Sequence, residues 1–362
     1  MWPFWILMGV PGVIAGVEYS QRRRTAHKAI ITSFFLIFLL LLIFRSFQNG
    51  IDLPKYIHIY KVTSKQSWEY VLTHLFQHET EAGYYLLSKI FASFTRDYRW
   101  LMIFIAFVSI IPVWLLYRNS INNHYYLAIA IFMCIGLFPI YFSALRQVMA
   151  IALAVPAYYC TKNRKLVLFL LIVGLAFLFH KSSFILLLMY PVYRIRLNWG
   201  YLLVGTLIAF PVVYIFRVQM FSFLGSIFSS VYDVKITVTN AVSVFLLLIA
   251  FIVFSFSIVD NTALDADRDT AGLRNLLILS GLLQIFAGVD MLAMRMNYYY
   301  LLFVPIVITR VIDYCDPKYK RICEIAVLAM LVFFTVFYFV SAYSGSNVLK
   351  VYPYIPFWRS NV

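Results

Sequence analysis

Residues 166–183 read LVLFLLIVGLAFLFHKSS, an apolar run of helical length that ends directly in an ionisable residue, His180. The same arrangement recurs at Leu145-Arg146 and at Met294-Arg295, where two apolar runs meet. A charged side chain in the centre of a bilayer is costly, so membrane proteins keep such residues at the ends of their spans or inside a polar site. When the spans are counted along the chain, these three residues fall on the same membrane face. The pattern therefore indicates a polar site assembled at that face.

The composition places the whole chain in a membrane. Of its 362 residues, 63% are hydrophobic and 12% are charged, and the mean hydropathy is +0.85. A soluble domain is nearer half apolar and a quarter charged. The net charge of +15 does not indicate nucleic-acid binding, because the cations flank apolar runs and form no basic stripe. They are better explained as topology signals.

Cysteine spacing argues against disulfides and a metal site, and the N-terminal segment argues against a cleaved leader. Cys134, Cys160, Cys315 and Cys323 form no close CxxC pair, so neither disulfides nor a metal site is expected. No acidic cluster has a metal-ligand spacing, and no cofactor is predicted. Residues 1–17 resemble the apolar part of a signal peptide, but the basic run follows them, which favours a first span over a cleaved leader.

The apolar pattern predicts an all-α polytopic membrane protein with about twelve transmembrane helices. The basic clusters follow odd-numbered spans, which places them in the cytoplasm and both termini outside. The predicted spans are roughly 2–17, 29–44, 100–117, 125–143, 147–160, 165–179, 183–193, 200–216, 241–259, 275–290, 297–312 and 325–342. The predicted cytoplasmic cations are Arg22, Arg23, Arg24, Arg118, Lys162, Arg164, Lys165, Arg194, Arg196, Arg268, Arg274, Lys318, Lys320 and Arg321.

Residues 1–362 are expected to form a single membrane domain with two outer segments. The long segment 45–99 contains apolar residues at helical spacing, from Trp68 to Phe76 and from Tyr84 to Phe94, on either side of an acidic break. This predicts two amphipathic helices on the outer leaflet. A second outer loop is predicted at 217–240.

Six side chains are candidates for chemistry, one of which is Arg217 in the second outer loop. Arg146 lies in a very tight turn on the translocated side, where basic residues are under-represented, although a snorkelling interfacial arginine is the alternative. His180 can accept a proton from a hydroxyl, or it can simply end its helix. Glu81 lies at the acidic break and could be a solvated loop residue. Asp290 and Arg295 bracket another outer turn, where they could pair with each other or bind an anion.

The absence of other motifs narrows the class of protein. No ionisable residue falls in the middle third of any predicted span, whereas ion-coupled transporters usually carry such groups at the midplane. The chain has no Walker motif and so is not expected to be an ATP-driven pump. Arginines, a histidine and carboxylates at one face are typical of a site for an anionic lipid head group, such as a lipid-linked pyrophosphate.

Three short stretches resemble the EpsG-type branch of the Wzy-like bacterial polysaccharide polymerases. They are Glu81-Ala-Gly-Tyr-Tyr-Leu-Leu, Leu145-Arg146-Gln147-Val-Met-Ala150 and Phe179-His180-Lys181-Ser182-Ser183. Their order, and the number of spans between them, agree with that family over roughly residues 30–310. One departure is Ser183, where alanine is common. The resemblance implies a GT-C-like glycosyltransferase of the bacterial inner membrane that uses undecaprenyl-pyrophosphate-linked sugars on the outer side.

The reaction implied by the resemblance joins repeat units of O-antigen, capsule or exopolysaccharide. Both donor and acceptor would be lipid-linked glycans, and a chain-length regulator is a possible partner. In this hypothesis His180 orients or deprotonates the acceptor hydroxyl, and Glu81 or Asp290 is a reserve base. Arg146, Arg295 and Arg217 would bind the pyrophosphate. The alternatives are another lipid-linked glycosyltransferase, an O-antigen ligase, or a flippase for lipid-linked sugars.

Overall fold

The computed structural model describes residues 2–21, 27–77, 81–228, 242–257, 259–343 and 349–359. Within these ranges every regular element is helical, and extended pairing is limited to isolated β-bridges, which confirms the all-α prediction. The α-helices are α1 (Trp2–Gln21), α2 (His27–Phe44), α3 (Leu53–Lys65), α4 (Trp68–Thr73), α5 (Ala82–Phe94), α6 (Arg99–Ser120), α7 (Tyr125–Cys134), α8 (Leu137–Ser143), α9 (Leu145–Lys162), α10 (Leu166–Phe179), α11 (Met189–Tyr193), α12 (Trp199–Phe228), α13 (Val242–Phe256), α14 (Asn261–Ala266), α15 (Arg268–Ala287), α16 (Met291–Leu301), α17 (Val304–Asp313) and α18 (Pro317–Tyr343).

Three helices in the described ranges are long and apolar enough to cross a bilayer, namely α6, Trp199–Phe223 of α12, and α15. A fourth span results if α7 and α8, which bend by 59° at their junction, are taken as one. Ile6–Val17, Lys28–Phe44, Leu166–Phe179 and Val242–Phe256 are apolar but shorter. The total of about twelve spans and the GT-C-like arrangement therefore stay predictions. The expected span at 183–193 consists of a 3₁₀ helix, Lys181–Leu188, followed by the single short helix α11.

The first of two compact units comprises Met1–Ile129, Leu137–Phe184 and Thr335–Val362. Its central helix is α9, which packs against α6 and α10. Ala150, Ala154 and Ala157 of α9 are completely buried. Small side chains allow helix backbones to approach closely in a membrane protein, where van der Waals packing is a main source of helix association. This packing fixes the first turn of α9 relative to the end of α10.

The second unit comprises Ala130–Gly136 and Ile185–Phe334 and is organised around α15. Arg274 lies inside α15 with its side chain completely buried. Its guanidinium donates to Oδ1 of Asn261 at 2.8 Å and forms an ion pair with Asp265. The expectation that Arg274 lies in a loop ahead of a span is wrong, whereas its cytoplasmic side stays a prediction. The helix begins six residues earlier, at Arg268, because Asp267 caps it and Asp265 compensates the buried charge.

The outer segments differ in part from expectation. The segment 45–99 holds α4 and α5 close to the two predicted amphipathic helices, and it also holds α3, which was not predicted. In the predicted loop 217–240, residues 217–228 continue α12, and the remainder lies outside the described residues. The division of the chain into two outer segments and one membrane domain stays a prediction.

Candidate functional site

The carboxylate of Glu81 joins two side chains that are distant in sequence. Its Oε1 lies 3.2 Å from Nδ1 of His180, and its Oε2 accepts a hydrogen bond from Nη1 of Arg146. Glu81 occupies the N-cap position of α5, but its carboxylate makes no capping bond to its own helix. Both oxygens are therefore committed to the other two side chains, and the three residues form one polar cluster.

The elements around Glu81 bring the cluster together. Arg146 lies in the first turn of α9, and His180 is the C-cap residue of α10, where the backbone becomes extended. The first turn of α5 lies against the last turn of α10 at Gly83, where a β-carbon would come within 2.8 Å of the carbonyl oxygen of Leu178. Because Gly83 has no side chain, the two backbones can approach closely enough for Glu81 to reach His180.

Arg146 is placed against the helix dipole. A cation in the first turn of a helix faces the partial positive charge of the unpaired amides, which is unfavourable. Glu81 offsets this charge, and the guanidinium carbon also lies 5.5 Å from the ring centroid of Tyr56 on α3. A side chain held in an intrinsically unfavourable position by two partners is typical of a functional residue.

Burial alone would raise the pKa of Glu81, but the hydrogen bond to His180 and the charge of Arg146 lower it to about 2. Glu81 is therefore an anion across the physiological range. Its side chain is only 8% exposed, whereas that of Arg146 is 20% exposed. An incoming anion would meet the guanidinium before it met the carboxylate.

The geometry also selects a tautomer for His180. A carboxylate beside Nδ1 favours the proton on that nitrogen, and the other ring nitrogen, Nε2, then acts as the acceptor. The carboxylate fixes the ring orientation and stabilises an imidazolium once a proton arrives. The cluster thus combines an imidazole of fixed orientation with an adjacent guanidinium. In the described ranges, no group of three or more His, Cys, Asp or Glu residues could hold a metal ion.

A comparison with protein families matched the EpsG family over residues 29–355. The chain belongs to the EpsG family. The matched region contains all three stretches on which the resemblance was based, and this is a family of polysaccharide polymerase-like membrane proteins. Neither the curated proteins nor the solved structures gave a match.

Three of the six predicted site residues of this EpsG-family protein form the cluster, and the other three lie in the second unit. Arg217 lies on α12, with its guanidinium carbon 4.2 Å from the ring centroid of Tyr214. Asp290 lies between α15 and α16 and is half-buried, and Arg295 is exposed on α16. The acidic partner of Arg146 is Glu81, which lies 65 residues earlier in the sequence.

Sequence reasoning missed Tyr56 as a site residue of this EpsG-family protein. Its hydroxyl lies 3.5 Å from Nε of Arg146, and its ring contacts that of Tyr84 with a centroid separation of 5.2 Å. The tyrosine belongs to α3, whose alternation of apolar and basic residues gave no clear helical signal. The only pointer in the sequence was its location in the same outer segment as Glu81.

Proposed function

We propose that this protein is a polysaccharide polymerase that joins undecaprenyl-pyrophosphate-linked repeat units at the outer face of the bacterial inner membrane. The observation that carries the proposal is the single carboxylate of Glu81 shared between Arg146 and His180. One arrangement thereby supplies a cation for a leaving pyrophosphate and an oriented base for an attacking hydroxyl. Family membership supports the same class of reaction.

In the proposed reaction, His180 removes the proton of the acceptor hydroxyl. The acceptor oxygen forms a bond to the anomeric carbon of the donor sugar, and the bond between that carbon and the pyrophosphate oxygen breaks. Undecaprenyl pyrophosphate leaves with the bonding electron pair. General base catalysis of this kind typically contributes about 10²–10⁴-fold.

Arg146 is the proposed pyrophosphate ligand from the cluster. A guanidinium has five N–H donors, of which Glu81 and Tyr56 engage those on Nη1 and Nε. The donors on Nη2 leave room for a phosphate oxygen. A cation placed in advance beside a developing negative charge stabilises the transition state by several kcal/mol in a water-poor site.

Glu81 takes a different role from the reserve base expected from sequence. A carboxylate with a pKa of about 2 binds a proton weakly, so it would be a poor general base near neutral pH. We assign it the orientation of His180 and the stabilisation of the imidazolium. The roles of Arg217 and Arg295 as pyrophosphate ligands, and of Asp290 as a base, rest on sequence alone, as does a chain-length regulator as partner.

The test is chain extension by the purified protein in lipid nanodiscs supplied only with lipid-linked repeat units. The wild type should lengthen the glycan, and His180→Ala should lose most of this activity at equal protein levels. His180→Gln should retain more activity than His180→Ala if hydrogen bonding is the main role. Lys181→Ala is the matched control, because it removes the adjacent cation and leaves the cluster intact.

The outcomes separate the proposal from its alternatives. Normal glycan lengths in His180→Ala would return that residue to a helix-ending role. A wild-type protein that transfers glycan only when lipid A core is added would be a ligase. Movement of lipid-linked repeats across the bilayer without any extension would identify a flippase.

A further inference from the structure

The last described residues of the chain return to the outer segment. Residues 349–359, here called the C-terminal strap, bind the backbone that follows α2. The amide of Ser46 donates to the carbonyl of Ile355 at 2.8 Å, and the amide of Ile51 donates to the carbonyl of Leu349 at 3.3 Å. The strap therefore borders the whole stretch between α2 and α3.

Asn49 is the main connection between the strap and this stretch. Its Nδ2 donates to the carbonyls of Val351 and Pro353, at 3.2 and 2.8 Å, and its Oδ1 accepts from the amide of Ile355 at 2.8 Å. The side chain is only 1% exposed. One buried side-chain amide thus forms hydrogen bonds with three backbone groups of the strap. These bonds fix which strap residues lie beside Asn49.

The stretch held by the strap, residues 45–52, in turn contacts the end of α8. Nη1 of Arg45 donates to the carbonyl of Tyr141 at 2.7 Å. Gly50 has a φ of +138°, and a β-carbon there would lie 2.2 Å from the carbonyl oxygen of Phe142. Only glycine fits this contact, because both the dihedral angle and the available space exclude a side chain.

The same contacts reach the turn that carries Arg146. The Oγ of Ser143 donates to Oδ2 of Asp52 at 3.1 Å, and the amide of Asp52 donates back to that Oγ at 3.3 Å. Ser143 precedes Arg146 by three residues. Asp52 is also the N-cap residue of α3, which carries Tyr56 against the guanidinium of Arg146.

We propose that the C-terminal strap is a positioning element for Arg146, which it holds through Asn49 and residues 45–52. Residues 45–52 contact both the backbone turn before Arg146 and the start of α3, which carries Tyr56, and the strap is hydrogen-bonded to these same residues. The effect of the strap on turnover rests on the proposed function. Its effect on the geometry of Arg146 does not.

The test uses the full-length protein in nanodiscs with Asn49→Ala, and with Tyr354→Phe as the matched control. The hydroxyl of Tyr354 bonds the carbonyl of Leu41 at 3.0 Å, so the control removes a strap hydrogen bond outside residues 45–52. Asn49→Asp, which keeps the acceptor oxygen and removes both donated bonds, replaces Asn49→Ala if the alanine variant fails to accumulate in membranes.

The first readout is independent of enzymatic activity. Phenylglyoxal modifies accessible arginines, and peptide mass spectrometry gives the rate at Arg146 relative to the exposed Arg96. Because a buried hydrogen bond is worth about a fivefold change in an equilibrium, Asn49→Ala should raise the rate at Arg146 about fivefold or more. Tyr354→Phe should leave it at the wild-type value. The second readout is chain extension, where Asn49→Ala should lower kcat by a similar factor with a smaller change in KM.

Each outcome has one meaning. An unchanged Arg146 rate in Asn49→Ala, or in Asn49→Asp where it is used instead, would overturn the proposal, whether or not extension is lost. An equal increase in Tyr354→Phe would also overturn it, since the strap would then act on the unit as a whole. An increased Arg146 rate in a protein whose wild type extends no glycan would retain the positioning role and reject the polymerase function.

Discussion

A β-carbon added to Gly83 would lie 2.8 Å from the carbonyl oxygen of Leu178, two residues before His180. The contact is with backbone, which cannot rotate away, so α5 would have to move away from α10. The distance between Glu81 and His180 depends on this close approach. Adding a single methyl group at residue 83 should therefore change that distance.

We expect Gly83→Ala to lower chain extension about tenfold or more, because overpacking of a close contact typically costs 1–3 kcal/mol. Gly174→Ala is the control, since a β-carbon there meets nothing within 4 Å, and alanine favours a helix. Glycan length profiles of both variants at matched membrane levels provide the measurement. Equal profiles would show that the approach of α5 to α10 is not needed for activity.

Glu81→Gln should reduce stability in a pH-dependent way. The folded pKa of about 2 lies below the ordinary value of 4.5, so the stabilisation is fully present above about pH 4.5 and is lost as the pH falls towards 2. The shift corresponds to about 3 kcal/mol at neutral pH. Melting temperatures of the two proteins in detergent should differ at neutral pH and converge as the pH falls from about 4.5 towards 2. A difference that persists undiminished near pH 2 would contradict the assigned charge state.

Arg146→Lys should be impaired in chain extension, though less than Arg146→Ala. A lysine keeps the charge but lacks the planar fork that contacts Glu81, Tyr56 and the proposed pyrophosphate together. Arg146→Ala also leaves a buried carboxylate without its cation. The double variant Arg146→Ala/Glu81→Gln separates this loss of stability from the loss of chemistry. Full activity in Arg146→Ala would refute the pyrophosphate role. Full activity in Arg146→Lys would show that only the positive charge at residue 146 is needed, and not the planar guanidinium.

Two buried serines should respond in opposite directions. Among the described residues, the Oγ of Ser183 has no hydrogen-bond partner, so Ser183→Ala should leave stability unchanged or raise it by about 1 kcal/mol. Ser143→Ala breaks the bond to Asp52 and should lower stability by a similar amount. Thermal unfolding of the purified variants measures both. Destabilisation by Ser183→Ala would reveal a partner for its hydroxyl.

A cysteine at Ser64 on α3 tests the predicted topology. If residues 45–99 are outside, an impermeant thiol reagent should label this cysteine in cells with an intact inner membrane. Cys134, Cys160, Cys315 and Cys323 are replaced beforehand so that only the new thiol reacts. Labelling that requires inner-membrane lysis would reverse the orientation and place the cluster of Glu81, Arg146 and His180 in the cytoplasm.

The sequence located two members of the cluster through their positions at the ends of apolar runs. Arg146 and His180 stand out because a hydropathy pattern marks every charge that interrupts it. The pairing with Glu81 could not be predicted, because it depends on the packing of α5 against α10 across 99 residues of sequence. Glu81 was a candidate only through its place at the acidic break and in the EpsG-type stretch.

The errors in the fold have a common physical cause. Hydropathy placed the start of a span after Arg274 because a charge raises the apparent cost of burial, but Asp265 reduces that cost through an ion pair. The hydropathy pattern did not predict α3, because Lys55, Lys61 and Lys65 interrupt the apolar residues that this helix buries. A hydropathy pattern reflects the preference of each residue by itself. The burial of Arg274 in α15 and the formation of α3 both depend on contacts with other residues.

Arg146 and Arg274 differ in when their acidic partners become available during synthesis. Arg274 follows Asp265 by nine residues, so the ribosome delivers both within a few seconds and α15 can enter the insertion machinery already neutralised. Arg146 finds Glu81 already made, but His180 emerges 34 residues later, after α10. Glu81 and Arg146 are therefore synthesised before His180, and the polar cluster can be complete only once the end of α10 has been made.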